Sequence, residues 1–418
     1  MRLAIVLSCL TVVSIAHADD IAERAKKLQR EAIIVDTHLD APDQLAGKWA
    51  DVATRGATDH FDIPRAKEGG LTAPFFSIYV SAAYADKGAA KKALELIDLT
   101  KRVVADHPND MMLATTVDDA RAAKKAGKLA VFMGIEGGHA IEDSLGVLRE
   151  MYRAGVRYMT LTHTNTNHWA DSSGPFFLPD FDPKQSKVHG GLSDFGREVV
   201  KEMNRIGMIV DISHVSDDTI DDVLEVSRSP VMASHSSCRA LSNMPRNLTD
   251  DQIKRIAAKG GIVMINIGSG FIEQASWDAF VAGKKKLAPQ LAALKKKYAK
   301  NPALYFKAMF EAYVKLGLPR ATLAKVADHI EHVIKVGGIE AVGLGTDFDG
   351  IDDVPTGLED YSKLPALTEE LLRRGHSDAD VKKILGENFL AFFSRVEAAK
   401  KKLAAEPVNP AVYKDTAK

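Results

Sequence analysis

Hydrophobic positions along this chain gather into short, largely continuous runs and not into alternating ones. Eight runs stand out, at Ala32–Val35, Pro74–Val80, Ala130–Ile135, Val156–Thr162, Met208–Ile212, Val231–Ser234, Ile262–Ile267 and Ala341–Gly345. Runs of this kind predict strands buried on both faces, as in a parallel sheet. Segments of helical character lie between most of them, over Ala89–Ala105, Val117–Ala126, Ser144–Ala154, Asp194–Ile206, Asp217–Val226 and Thr249–Lys259. Eight strands alternating with helices predict an α/β fold, a (β/α)8 barrel of the TIM type. One stretch stands apart: Gln274 to Thr322 is Lys- and Ala-rich and reads as a helical insertion between the seventh and eighth strands. A solvated insertion is its bland reading. Because it follows a barrel strand, it is also placed to act as a lid.

The polar residues that end these runs are not scattered. The first run leads into V-D-T-H-L-D, with His38 and Asp40 two apart and so on one face of an extended chain. The third leads into G-I-E-G-G-H, where the glycines around Glu136 are expected to let the backbone crowd a ligand. L-T-H-T-N supplies His163, and G-L-G-T-D-F-D-G supplies Asp347 and Asp349. Met208 to Ser234 has the pattern of a strand, a crossover helix and a second strand, which sets His214 and His235 beside each other. Active sites of parallel barrels lie at the carboxyl ends of the strands, where all of these residues fall.

The chemistry open to such a set is narrow. Several imidazoles and carboxylates with no cysteine cluster suit Zn²⁺ or a similar borderline ion. A glutamate has two oxygens and can bridge two metals about 3.5–4 Å apart. Such a pair would bring the pKa of a bound water towards roughly 7 and present hydroxide to an electrophilic carbonyl. There is no nucleophile elbow or phosphate-binding glycine loop, and Glu136-Gly137-Gly138-His139 is not a dinucleotide fingerprint. Asp349 reads as support for Asp347. Asn167, Trp169 and Asp171 read either as pocket lining or as loop structure, and His139, His329, His332 and Cys238 as structural.

Composition changes this picture little, but it sets the compartment. Arg2, an apolar run from Leu3 to Ala16 and the small-residue site Ala16-His17-Ala18 predict a secretory signal peptide over residues 1–18, cleaved after about Ala18. The chain is then expected to be periplasmic or secreted, with residues 19–418 forming a single hydrolase domain. Without Arg2 the mature chain carries 54 basic and 56 acidic residues, which gives no reason to expect nucleic acid or a membrane surface as partner. Cys238 is its only cysteine, so it can form no intrachain disulfide. No later run suggests a membrane anchor.

V-D-T-H-L-D, G-I-E-G-G-H, L-T-H-T-N, D-I-S-H-V-S, A-S-H-S-S, P-R-N-L-T-D-D and G-T-D-F-D-G, taken in order, resemble the membrane (renal) dipeptidase family of zinc peptidases. The resemblance runs from about Ile34 to Phe392. It implies two Zn²⁺ per chain, one held by His38 and Asp40, the other by His214 and His235, with Glu136 bridging. It implies that His163 contacts the scissile carbonyl oxygen, that Asp347 is the acid–base carboxylate, and that Arg246 receives the substrate's carboxylate. The implied substrate is a small dipeptide, often with a D-residue at its C-terminal side and sometimes extending to β-lactam rings. The implied assembly is a homodimer. Where better-known members carry a tyrosine this chain has Phe271, which can pack on a substrate but has no hydroxyl. The disulfides and glycolipid anchor of the animal members have no counterpart here. Two rival readings stay open: another amidohydrolase reaction, on a cyclic amide, lactone or N-acyl amino acid, and a non-catalytic binding protein that keeps the fold.

Overall fold

The computed structural model describes residues 20–414, so the expected signal peptide lies outside the described residues. Its strands are β1 (Ile34–Leu39), β2 (Leu71–Tyr79), β3 (Met111–Leu113), β4 (Leu129–Glu136), β5 (Val156–Thr160), β6 (Ile209–Asp211), β7 (Met232–Ala233), β8 (Ile262–Ile265) and β9 (Val342–Leu344). All pairings between them are parallel, in the order β2-β1-β9-β8-β7-β6-β5-β4. The sheet closes where β4 returns to β2, from Phe75 opposite Phe132 to Tyr79 opposite Glu136. The result is the expected closed barrel of parallel strands.

Three strands depart from the hydrophobic pattern, and one of them, β2, simply begins three residues early, at Leu71. β3 pairs only with Leu129–Val131 of β4 and lies outside the barrel. It escapes notice because it is short and increasingly exposed along its length. β1 begins two residues later than expected and runs on through His38. The apolar run stops at Val35, but the polar residues beyond it are buried and find partners on neighbouring strands. Thr37 Oγ1, for example, donates to the carbonyls of Ser234 (2.6 Å) and Leu344 (3.3 Å).

The helices Val117–Ala126, Asp194–Ile206 and Asp217–Val226 lie where the sequence placed them. Thr116, Ser193 and Ser216 cap them, each accepting a backbone N–H of the first turn. One set of alternate strand residues packs outward against this helical layer. Another fills the barrel: Phe75 stacks on Phe132 at 4.7 Å and on Tyr158 at 5.4 Å, and Phe389 of the helix Asn388–Leu403 packs edge-on against Phe75. Between β8 and β9 the chain forms the helices Gln274–Lys297 and Pro302–Val314, with a small core of their own at Leu291, Tyr305, Met309 and Tyr313. Among the described residues no helix is long and apolar enough to cross a membrane.

Candidate metal centre

The strands end on a ring of buried imidazoles and carboxylates. β1 carries His38, with Asp40 just beyond it, and β4 ends on Glu136. His163, His214, His235 and Asp347 follow β5, β6, β7 and β9. His214 and Asp347 are held at φ 67° and 64°, and Asp349 at 64°. Non-glycine residues avoid this region, and its cost is tolerated where a side chain must be aimed.

Glu136 is the centre of the ring. Its Oε1 lies 3.0 Å from His214 Nε2, 3.4 Å from His235 Nε2, 3.6 Å from His38 Nε2 and 4.0 Å from His163 Nε2. Asp40 Oδ2 and Asp347 Oδ1 approach His38 Nε2 to 3.4 and 4.0 Å. His38 Nε2, Asp40 Oδ1 and His214 Nδ1 are buried with no hydrogen-bond partner. His214 Nε2 and His235 Nε2 stand 2.9 Å apart. Buried polar atoms left without partners around such a cluster are what a bound cation would satisfy. Three overlapping triads could hold one: His38–Glu136–His235, Glu136–His163–His214 and His38–Asp40–Asp347.

The rings are aimed from behind. Ser234 Oγ donates to Asp211 Oδ2 at 2.6 Å and so accepts from His235 Nδ1 at 2.7 Å. That protonates Nδ1 and leaves the Nε2 lone pair facing Glu136. His38 Nδ1 meets Tyr158 OH at 2.8 Å. Burial, with Arg246 nearby, holds His214 well below the usual histidine range, and burial with His38 does the same for His235. Both rings are therefore neutral and able to ligate. Burial alone would raise the carboxyl pKa of Glu136, but the attraction of His38, then of His163, outweighs it and holds it well below the usual range. Asp347 behaves oppositely. Burial, joined by repulsion from Asp40 and Glu136, pushes it up to about 8 against the opposing pull of His38 and of Asn266, which donates to Oδ2 at 2.8 Å.

Arg246 is buried at the same mouth. It does not brace its loop through Asp250 or Asp251. Its Nη1 and Nη2 make long contacts, 3.3 Å each, with Ser236 Oγ and the His235 carbonyl, and its Nε has no partner. Phe271 lies under the guanidinium, 5.4 Å from it to the ring centroid. Burial pushes the Arg246 pKa down only to about 10, which leaves it charged at neutral pH.

Other residues singled out in the sequence are spent on structure. Asn167 donates to the Leu161 carbonyl and accepts from the N–H groups of Trp169 and Ala170, so its amide holds the loop while its flank lines a cavity of about 1730 Å³ beside the mouth. Asp171 gathers the backbone N–H groups of residues 188 to 191. Asp349 accepts from His60 N at 2.7 Å. The glycines beside Glu136 make room for protein and not for ligand: a Cβ on Gly137, at φ 108°, would sit 2.6 Å from His139 Cε1, and one on Gly138 2.3 Å from the Leu161 carbonyl.

Sequence reasoning missed Tyr79, Asn266, Tyr158 and Asp211. Tyr79 and Asn266 close the two strands that had offered no ligand, and Tyr79 packs edge-on against His163 at 4.9 Å. For Tyr79 and Asn266 the signal was a polar residue near the end of an apolar run.

A closed parallel barrel with histidines and carboxylates converging at its strand ends defines the class of metal-dependent hydrolases built on such barrels. The family model for membrane dipeptidases (peptidase family M19) matches residues 22–407, and the chain belongs to that family of metallo-dipeptidases. Among solved structures it is similar to the probable dipeptidase PvdM from Pseudomonas aeruginosa, at 27% identity and a TM-score of 0.78, covering 91% of this chain and 99% of that one. It is also similar to dipeptidase AC, a metallopeptidase of family M19, at 25% identity and a TM-score of 0.70, covering 87% and 98%. A metallopeptidase from Rhodobacter sphaeroides, liganded with a phosphinate mimic of the dipeptide L-Ala-D-Ala, shares the fold at 24% identity and a TM-score of 0.69, covering 88% of this chain and 100% of that one.

Proposed function

We propose that this chain is a zinc-dependent dipeptidase that cleaves small dipeptides bearing a free α-carboxylate, including those with a C-terminal D-residue. The observation that carries the reading is the convergence of four imidazoles within 3.0–4.0 Å of one oxygen of Glu136. His38 and Asp40 would hold one ion, His214 and His235 a second, with Glu136 shared between them. The ions would supply Lewis acidity towards the peptide carbonyl and lower the pKa of the attacking water. Arg246 would grip the substrate carboxylate through two parallel hydrogen bonds, with the aliphatic part of the substrate against Phe271. His163 would donate to the carbonyl oxygen as negative charge develops there. Asp347, poised by its surroundings to carry a proton near neutral pH, would pass that proton to the departing amine.

The test is a panel of dipeptides, L-L and L-D, offered to the purified protein with zinc, alongside the same dipeptides as C-terminal amides and a set of N-acyl amino acids, lactones and cyclic amides. Hydrolysis of the free dipeptides, lost on chelation and restored by zinc, is the expected result. Turnover confined to the acylated or cyclic compounds would replace the reading with the rival amidohydrolase one.

A further inference from the structure

We propose that the helical insertion between β8 and β9 docks the protein on an anionic phospholipid surface, through the outer face of the helix Pro302–Val314. Leu304, Lys307, Phe310 and Val314 follow one another at steps of three, three and four residues, so they line one face of that helix. That face is open: Leu304 is 46% exposed, Phe310 44% and Val314 61%. Among the described residues no other helix carries more than one large apolar side chain so exposed. The opposite face is already satisfied, with Tyr305, Met309, Ala312 and Tyr313 buried in the insertion's small core against Leu291. A helix that is apolar on both faces but covered on only one leaves a stripe for a further partner.

Charge says which partner. Gln274 to Thr322 holds ten basic residues and two acidic ones, whereas the whole chain is formally −1. The insertion therefore carries a net +8 and the rest of the chain −9, a division that the near-neutral total conceals. Among the described residues only one of its nine lysines, Lys295, has a carboxylate partner, Asp180 at 2.8 Å. Lys307 lies within the apolar stripe, Lys300 just before the helix and Lys315 just past it, and all three are exposed. Glu311 is the one acid on the helix.

A second copy of this chain fits the face poorly, because two surfaces of like charge would meet. Nucleic acid offers phosphates but no apolar surface to take Leu304 and Val314. A bilayer containing acidic phospholipid supplies both, phosphates for the lysines and an acyl boundary for the apolar side chains. With the rest of the molecule negative, the field that attracts the insertion also holds the barrel away from the surface. Such a face lies on a membrane and needs no helix long enough to cross one.

The experiment sediments the purified protein with vesicles of phosphatidylcholine alone and of phosphatidylcholine mixed with phosphatidylglycerol, at low and at high salt. Wild type is expected to sediment with the mixed vesicles, less so at high salt, and not with phosphatidylcholine alone. Lys307→Gln together with Lys315→Gln should weaken that partitioning by roughly fivefold for each lysine removed. Leu304→Ser together with Val314→Ser should weaken it by roughly tenfold or more, because binding scales with the apolar area buried. None of these side chains belongs to the barrel core, so the main thermal transition should stay in place. The two pairs are independent, and either keeps the test decisive if the other disturbs the helix. Failure of wild type to sediment with the mixed vesicles overturns the proposal, as does equal binding to both kinds of vesicle or binding that survives both pairs of substitutions. Self-association without lipid, lost on Leu304→Ser with Val314→Ser, would overturn it in favour of a second copy of the chain.

Discussion

In the proposed reading, Asp347 and Arg246 would carry the two jobs that metals do not. Asp347 sits 4.0 Å from His38 yet is assigned no ligand role, although one candidate triad includes it. Asp347→Asn keeps the shape and the hydrogen-bonding capacity towards Asn266 but cannot pass a proton. It should retain its metal by elemental analysis while kcat falls by roughly 10²–10⁴. Loss of metal together with rate would make Asp347 a ligand instead. Arg246 is a buried cation with only long contacts to the protein, which suits a group waiting for a substrate anion. Removing one partner of a desolvated charge pair costs about 2–5 kcal/mol. At about 1.36 kcal/mol per tenfold, Arg246→Met should lose roughly 30- to several thousand-fold in kcat/KM on a free dipeptide. The wild-type preference for acid over amide should vanish with it, and survival of that preference in the variant would mean that Arg246 only braces the chain. Asp347 was legible in the sequence because it breaks the hydrophobic pattern at a strand end, whereas Arg246, in the loop beyond β7, came only from the family resemblance. Tyr158 and Asp211 were not legible, because they sit inside strands, where a single polar atom behind a ligand looks like ordinary core.

At the level of elements, the ring of ligands is precise because its strands are pinned by buried aspartates. Asp211 accepts from Thr160 Oγ1 (2.5 Å), Ser213 N (3.1 Å), Ser234 N (2.8 Å) and Ser234 Oγ (2.6 Å), tying β5, β6 and β7 together. Asp36 does the same for β1 and β9 through Thr346 and His38, and adds the Tyr361 hydroxyl. Asp211→Ala strands several buried donors at about 1–3 kcal/mol for each left unsatisfied, so a fall in stability of at least that size is expected in thermal or denaturant unfolding. It also frees Ser234 and with it the tautomer of His235, which should weaken metal binding by roughly 10–100-fold. Loss of stability with unchanged metal affinity would confine Asp211 to the fold. The long capped helices were read to within a residue, and β4 to within one residue at each end. Met111–Leu113 carries too few apolar positions to be noticed, whereas the two-residue β7 lies inside the apolar run Val231–Ser234 and was read to within one residue at each end.

Over the whole molecule, the helical excursion between β8 and β9 is tied to a distant part of the chain. The segment after His163 turns back at Ser172 and Ser173, held there by the His214 carbonyl, and then presents Phe176 and Phe177 to the helices Gln274–Lys297 and Pro302–Val314. Tyr313 OH donates to the Phe177 carbonyl at 2.5 Å, Lys284 Nζ to the Phe176 carbonyl at 2.6 Å, and Trp277 packs edge-on against Phe176 at 5.7 Å. These contacts form a satellite core separate from the barrel's own. A satellite core can loosen without unfolding the barrel, because little apolar area is shared between them. The sequence showed that helices would fill this excursion, but not their partner: a Lys- and Ala-rich surface names no contact, and Phe176 and Phe177 lie in a loop without periodicity. Tyr313→Ala removes both the hydrogen bond and the ring that meets Phe280 at 5.2 Å. If the two segments act together as a cover over bound substrate, cleavage by a protease within residues 174–189 should quicken and KM should rise several-fold. The main unfolding transition should move little, because the barrel core is untouched. A large drop in the transition with KM unchanged would make the helices part of the scaffold and remove them from any role in holding substrate.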